Sequence, residues 1–286
     1  MKHWVIRISL AVVVVGVLVL AGSCNPFNPL AAAGYGELFI YWVEGVSPEI
    51  IMKAELATAK ISTVLSDPGV IGDILLDKKN ERIYWSVESA PPGVYSADLN
   101  GDDKKTIAAA TAEAMSINPN AGKLYYGGST GIWQYSLEGG SPLQIYAGTV
   151  ADIAVDHLHE KIYWSSGSVI YSDAISSSLS PTNSVVTGTT IDSFVLDVYA
   201  GKLYWAETGA GFEVREKDLG SGSDRQLFAG TAANALDFDP HDKMLYWSEY
   251  GVEGEIHRFN VETGVDASVI QGIPNSPDPI FLDRWP

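Results

Sequence analysis

One short phrase, an aliphatic residue followed by two aromatics, recurs six times and constrains this chain more than any other feature. The copies are Phe39-Ile-Tyr-Trp-Val43, Arg82-Ile-Tyr-Trp-Ser86, Lys123-Leu-Tyr-Tyr-Gly127, Lys161-Ile-Tyr-Trp-Ser165, Lys202-Leu-Tyr-Trp-Ala206 and Met244-Leu-Tyr-Trp-Ser248. Their first aromatics stand 43, 41, 38, 41 and 42 residues apart. A period near 40 with short alternating apolar strands predicts a β-propeller. Six such repeats fill nearly all of the 286 residues. The expected fold is therefore all-β, a six-bladed propeller of four-stranded blades.

Each repeat has the same parts, clearest in the fourth. A small apolar inner strand, Asp152–Asp156, leads through a polar turn to a second strand, Lys161–Ser165. A third strand follows near Ser168–Asp173, and a polar outer strand near Ser184–Thr187. Side chains alternate along a strand, so Ile162 and Trp164 face one neighbouring blade and Tyr163 the other. The termini predict how the ring closes. The first copy has no inner strand before it, and Pro279–Asp283 reads as an inner strand with nothing after it. Joined, they complete one blade and remove two open sheet edges.

Residues 1–23 read as a signal peptide. Lys2 and Arg7 precede an uncharged apolar run, Ile8–Gly22, shorter than the roughly 20 residues a membrane span needs. The run ends in Leu20-Ala-Gly-Ser-Cys24. Small residues before the only cysteine resemble a bacterial lipobox, although Ala21 stands where a large aliphatic residue is usual. Cys24 is the expected lipidation site, and residues 24–36 a tether leading to a propeller at 37–286. The implied location is extracytoplasmic, on a bacterial cell envelope, with the membrane reached through the N-terminal lipid.

The repeated Tyr-Trp followed by a small or polar residue resembles the YWTD repeat of the LDL-receptor class B family, from Glu37 to Asp283. The resemblance implies a six-bladed propeller that binds ligands on its top face. The fourth motif position, Asp in that family, is here Glu44, Val87, Gly128, Ser166, Glu207 and Glu249. No cysteine-rich module follows, so receptor functions are not carried over.

Without residues 1–23 the chain holds 16 basic and 35 acidic side chains, a net charge of −19. Phosphate backbones repel such a surface, which excludes general nucleic-acid binding. Anionic lipid surfaces are disfavoured for the same reason. No Gly-x-Ser-x-Gly elbow and no phosphate loop is present. Asp98-x-Asn100-x-Asp102 lacks the glycine and the bidentate glutamate of a calcium loop and reads as a polar turn. Asp156, His157, His159 and Glu160 carry metal-ligand chemistry but sit in a turn whose counterparts are merely polar. Asp77, Asn118, Asp156, Asp197, Asp239 and Asp283 recur once per blade, which suits turn capping. They are also expected to make the bottom face acidic.

The candidate site is the top mouth of the central channel. Asp73, Glu113, Asp152, Asp192, Asn234 and Asp278 enter the six inner strands. The loops after the second strands add Glu44, Glu88, Glu207 and Glu249, with Phe212 and Tyr250 as aromatic contacts. An acidic, aromatic-flanked face suits a protein or peptide partner, a basic one above all, by electrostatic steering. No cofactor and no catalytic set is expected. Two other readings stay open. One is a metal-dependent hydrolase, lactonase-like, with calcium or another divalent cation held by channel oxygens. The other is a structural scaffold of an envelope complex.

Overall fold

The protein is described from a computed structural model that covers residues 38–284, apart from 46–47, 59, 90, 209–210, 231, 250–252 and 275–276. The signal segment, Cys24 and the tether lie outside the described residues, and so does Tyr250. The described chain forms six separate antiparallel sheets of four strands each. The inner strands, from blade 1 to blade 6, are Ile280–Arg284, Ile71–Asp77, Ala114–Asn118, Asp152–Asp156, Ile191–Asp197 and Ala233–Asp239. The second strands, which carry the repeated phrase, are Leu38–Glu44, Arg82–Val87, Lys123–Gly128, Lys161–Ser166, Lys202–Glu207 and Met244–Glu249.

Ring closure follows the expected route. Blade 1 takes its inner strand from the C-terminal end of the chain and its other three from the N-terminal end. Trp42 pairs with Ile280 and Leu38 with Arg284, antiparallel. Blade 1 thereby has the same four-stranded order as the other five.

The repeated phrase holds the ring together through alternation. Adjacent residues on a strand point to opposite faces, so each Tyr-Trp pair serves two seams. The tyrosine of one blade and the second aromatic of the next meet in a shared apolar cluster. Tyr41 joins Trp85, Tyr84 joins Tyr126, and Tyr125 joins Trp164. Tyr163 joins Trp205, Tyr204 joins Trp247, and Tyr246 joins Trp42. All twelve rings are at most 4% exposed. Aromatic side chains of this kind bury about 150–250 Å² each, so six repeated pairs supply much of the apolar burial of the ring.

The turns between inner and second strands also form as expected. The side chains of Asp77, Asn118, Asp156, Asp197 and Asp239 are 6% exposed or less. Each accepts backbone N–H groups of the turn that follows it, as Asp156 does from Leu158 and His159, both at 3.0 Å. Because these carboxylates are buried and capped, they do not make the bottom face acidic. The exposed charge of that face comes from other residues, of both signs, among them Lys79 and Lys161 and the acids Glu81, Asp103, Glu138 and Glu160. The expectation that the turn ring itself makes the bottom acidic is corrected on this point.

Candidate functional site

The inner strands line the channel, and most seams between them are bridged by a polar side chain that accepts the next strand's backbone N–H. Asp73 of blade 2 accepts from Met115 of blade 3 at 2.6 Å. Ser116 of blade 3 accepts from Val155 of blade 4 at 3.1 Å. Asp152 of blade 4 accepts from Phe194 of blade 5 at 2.8 Å and from the Ser193 hydroxyl at 3.2 Å. Ser193 in turn accepts from Leu236 of blade 6 at 3.2 Å. Asp237 of blade 6 accepts from Leu282 of blade 1 at 2.6 Å. An inner strand without this device would turn unpaired N–H groups toward a narrow channel, where they are costly.

These acids sit deep in the ring, and the surrounding protein opposes their charge. Burial is the main cause, with neighbouring carboxylates adding to it. Burial, followed by repulsion from Asp152, pushes Asp73 well above the ordinary carboxylate range. Burial raises Asp152 to about 7, and Asp278 adds repulsion. Asp237 is also raised to about 7 by burial, with Asp239 and Asp152 as charged neighbours. Each is stripped of part of its water while still opening onto the channel lumen.

A second tier lies above them at the mouth. Asp278 faces the lumen and is raised to about 6 by burial, then by Asp192 and Glu88. Burial also raises Glu88, with Glu113 and Glu49 as its charged neighbours. Asp192 is raised by burial and bonds to the Thr208 hydroxyl at 3.3 Å. Glu113 is exposed. Repulsion links Asp278 to Asp192 and Glu88, and Glu88 to Glu113, so these acids form a chain of electrostatic neighbours along the mouth. Among the described residues, no lysine, arginine or histidine forms an ion pair with any of them.

Other expected members of the site have structural work elsewhere. Glu44 and Glu207 accept the indole N–H of Trp42 and Trp205, at 3.1 and 2.6 Å. In blades 1 and 5 the fourth motif position therefore serves the buried tryptophan two residues before it. Glu249 approaches His257 Nε2 at 3.0 Å, and Glu255 reaches the same atom at 3.1 Å. The His257 ring lies parallel to Trp247 at 5.1 Å. Asn234 is half-buried on the inner strand of blade 6. Phe212 is 40% exposed beside the top loop of blade 5 and adopts φ of 48°. Asp237 was missed because it enters two residues before the turn cap rather than four or five. Its signal in the sequence was an acid at a position otherwise held by Leu75, Ser116, Ala154, Val195 and Phe281.

Two motifs resolve as turns. Asp98 accepts from the N–H groups of Asn100 and Asp102, both at 2.9 Å. His159 Nδ1 bonds to Asp156 at 2.7 Å, while the His157 ring meets Tyr199 edge-on at 6.4 Å. Among the described residues, no three His, Cys, Asp or Glu side chains are arranged to hold a metal ion. A cleft of about 290 Å³ between blades 4 and 5 is lined by Thr189, Glu207, Arg215, Lys217 and Asp224, among others. Its charges are largely paired internally, Arg215 with Asp224 at 2.6 Å and with Glu213 at 3.0 Å.

No protein-family model matches the chain, and no curated protein matches it. Solved structures do. TolB from Acinetobacter baumannii superposes with a TM-score of 0.72 at 14% identity, over 89% of this chain and 69% of that one. A chain of Kuenenia stuttgartiensis hydrazine synthase gives a TM-score of 0.57 at 12% identity, over 70% and 66%. A chain of a mitotic checkpoint complex gives 0.56 at 14% identity, over 79% and 72%. Identity this low shows a shared fold, and that fold is the β-propeller.

Proposed function

We propose that this chain is a lipid-anchored, extracytoplasmic member of the YWTD-type propellers, and that it binds a basic protein or peptide segment at the mouth of its channel. The observation that carries the reading is the unpartnered acidity of that mouth. Glu88, Glu113, Asp192 and Asp278 neighbour one another there without an ion-paired cation among the described residues. The deeper acids are committed to backbone N–H groups and make a poor cage for an ion. A cationic side chain arriving from outside relieves repulsion that the fold alone leaves in place. Steering by such a field speeds the encounter and makes it salt-sensitive. One structural neighbour is a chain of a mitotic checkpoint complex, a protein assembly, which supports a protein partner for a propeller of this shape. The lipobox-like Cys24 and the apolar run before it support the anchor.

The test uses a lysine-rich peptide as the cationic probe. The full chain in detergent is titrated at low and high salt, beside a Glu88→Gln/Glu113→Gln/Asp278→Asn variant. Binding that weakens with salt and is lost in the variant supports the mouth. Equal binding by both proteins places the contact elsewhere and overturns the assignment.

A further inference from the structure

The seam between blades 4 and 5 departs from the packing of the seams on either side of it. In the seam before it, Trp164 of blade 4 is stacked by its register partner Tyr171 at 5.7 Å. Tyr146, from the outer strand of blade 3, reaches the same indole at 5.2 Å. In the seam after it, Trp247 of blade 6 is stacked by its register partner His257 at 5.1 Å. Phe228, from the outer strand of blade 5, reaches that indole at 4.6 Å. Around Trp205 of blade 5 the same two positions are held by Arg215 and Val186. Arg215 is the register partner, with its guanidinium 5.8 Å from the ring centre. Val186 stands where Tyr146 and Phe228 stand in their blades, since the three pair with the equivalent third-strand residues Ile170, Ile132 and Val214.

Valine is smaller than either ring, and the difference coincides with the cleft of about 290 Å³, whose walls include Val186, Trp205 and Arg215. A volume at the small end for ligand sites suits one ring with a short substituent. The charges in the walls say what that substituent should be. Glu207 is spent on the Trp205 indole and on the N–H and hydroxyl of Thr189. Asp224 is spent on Arg215, as is Glu213 beside it. Lys217 lines the same cleft and is half-buried. Among the described residues its ammonium has no ion pair and no hydrogen bond, so its three donors are open to an acceptor from outside. It follows Arg215 by two residues on one face of the third strand, about 7 Å along it.

We infer that this cleft binds a small aromatic carboxylate, with the ring against Arg215 and Val186, in the place that Tyr146 and Phe228 hold in the flanking seams, and the carboxylate on Lys217. A guanidinium offers a ring a planar cationic face. An ammonium and a carboxylate form a charge-assisted hydrogen bond, about twice as strong as a neutral one. Both contacts involve the third and fourth strands of the blade, whereas the acidic mouth is built on inner strands and the loops beside them. The cleft is therefore a second site, and it does not depend on the basic segment proposed for the mouth.

Calorimetric titration of the full chain with phenylacetate tests this, beside phenylacetamide, which keeps the ring without the charge, and acetate, which keeps the charge without the ring. Saturable one-to-one binding of phenylacetate is expected, with both analogues weaker by about tenfold or more, as loss of a charged hydrogen bond or of a buried ring implies. Lys217→Met should weaken phenylacetate by a similar factor while melting as the parent does. Val186→Tyr supplies the ring from the chain itself and should abolish binding without lowering the melting temperature. If the tyrosine variant does not fold, the lysine variant and the two analogues decide the matter. No saturable binding at millimolar phenylacetate overturns the proposal. So does equal affinity for phenylacetate and its amide, or equal binding by the parent and Lys217→Met.

Discussion

Asp152 in blade 4 accepts a hydrogen bond from the backbone N–H of Phe194 in blade 5, with 2.8 Å between the atoms. The contact joins two blades where they line the channel, and it places a carboxylate in surroundings that oppose its charge. Asp152 and Asp237 are both raised to about 7. In the unfolded chain each titrates near 4. Between those values the unfolded chain releases protons that the folded ring keeps. The stabilisation is thus complete below about pH 4 and is lost as the pH rises through 7. The melting temperature should rise as the pH is lowered from 8 to 5. Asp67 and Glu216 work the other way. Burial would raise them, but hydrogen bonds from Lys104 to the first and from Arg225 and Lys202 to the second hold them low. Their contribution is lost only below that window. An Asp152→Asn/Asp237→Asn variant should melt with a flatter pH dependence. A wild-type melting curve that does not move between pH 8 and 5 would sink the argument.

Glu207 separates a structural acid from a ligand-binding one. It accepts the Trp205 indole N–H at 2.6 Å and the Thr189 N–H at 3.1 Å. Glu207→Ala strands a buried donor, which costs on the order of 1–3 kcal/mol. The expected result is a lower melting temperature with unchanged capture of the cationic peptide. Glu113→Gln, at an exposed position of the mouth, should do the reverse. Thermal melts and titrations of the two variants side by side decide it. A Glu207→Ala protein that melts normally but loses the peptide would return Glu207 to the site.

The contrast shows what the sequence could and could not disclose. The repeat was legible because buried aromatics must recur wherever blades meet, so Tyr163 and Trp164 announce two seams at once. Ring closure was legible because an orphan strand at each end has one geometric remedy. The site was legible only as composition. An acid at the start of an inner strand looks the same whether it stands exposed at the mouth, like Glu113, or caps a neighbouring backbone, like Asp73. That difference depends on which N–H stands across the seam, which no local pattern encodes. Glu44 and Glu207 were read as ligand contacts for a similar reason, since the partner of each is an indole on the same strand.

The reading that puts a divalent cation in the channel has a direct check. Asp73 and Asp152 already accept two or more N–H or O–H groups each, which leaves few lone pairs for a hard ion. The melting temperature of chain purified without chelator should not change on adding EDTA or calcium. A folded-state ligand raises stability by mass action, so a rise of several degrees with calcium would bring the metal-dependent reading forward.

The closure of blade 1 gives the sharpest test of the fold. Removing residues 278–286 takes away the inner strand Ile280–Arg284 and with it Ile280 and Leu282, buried in the seam that holds Trp42 and Tyr246. It also leaves Asp237 without the Leu282 N–H that it accepts at 2.6 Å. The strand beginning at Leu38 then becomes an open edge facing the channel, able to pair with another chain. Each buried aliphatic lost costs roughly 2–5 kcal/mol, a sum comparable to the whole stability of a typical domain, about 5–15 kcal/mol. The truncated protein should therefore unfold or aggregate, seen as loss of a cooperative melt and early elution on size exclusion. Adding the missing segment back as a separate peptide should restore part of the melt if the strand acts by closing the ring. A truncated chain with a native-like melt on its own would show that the ring is held shut by other means.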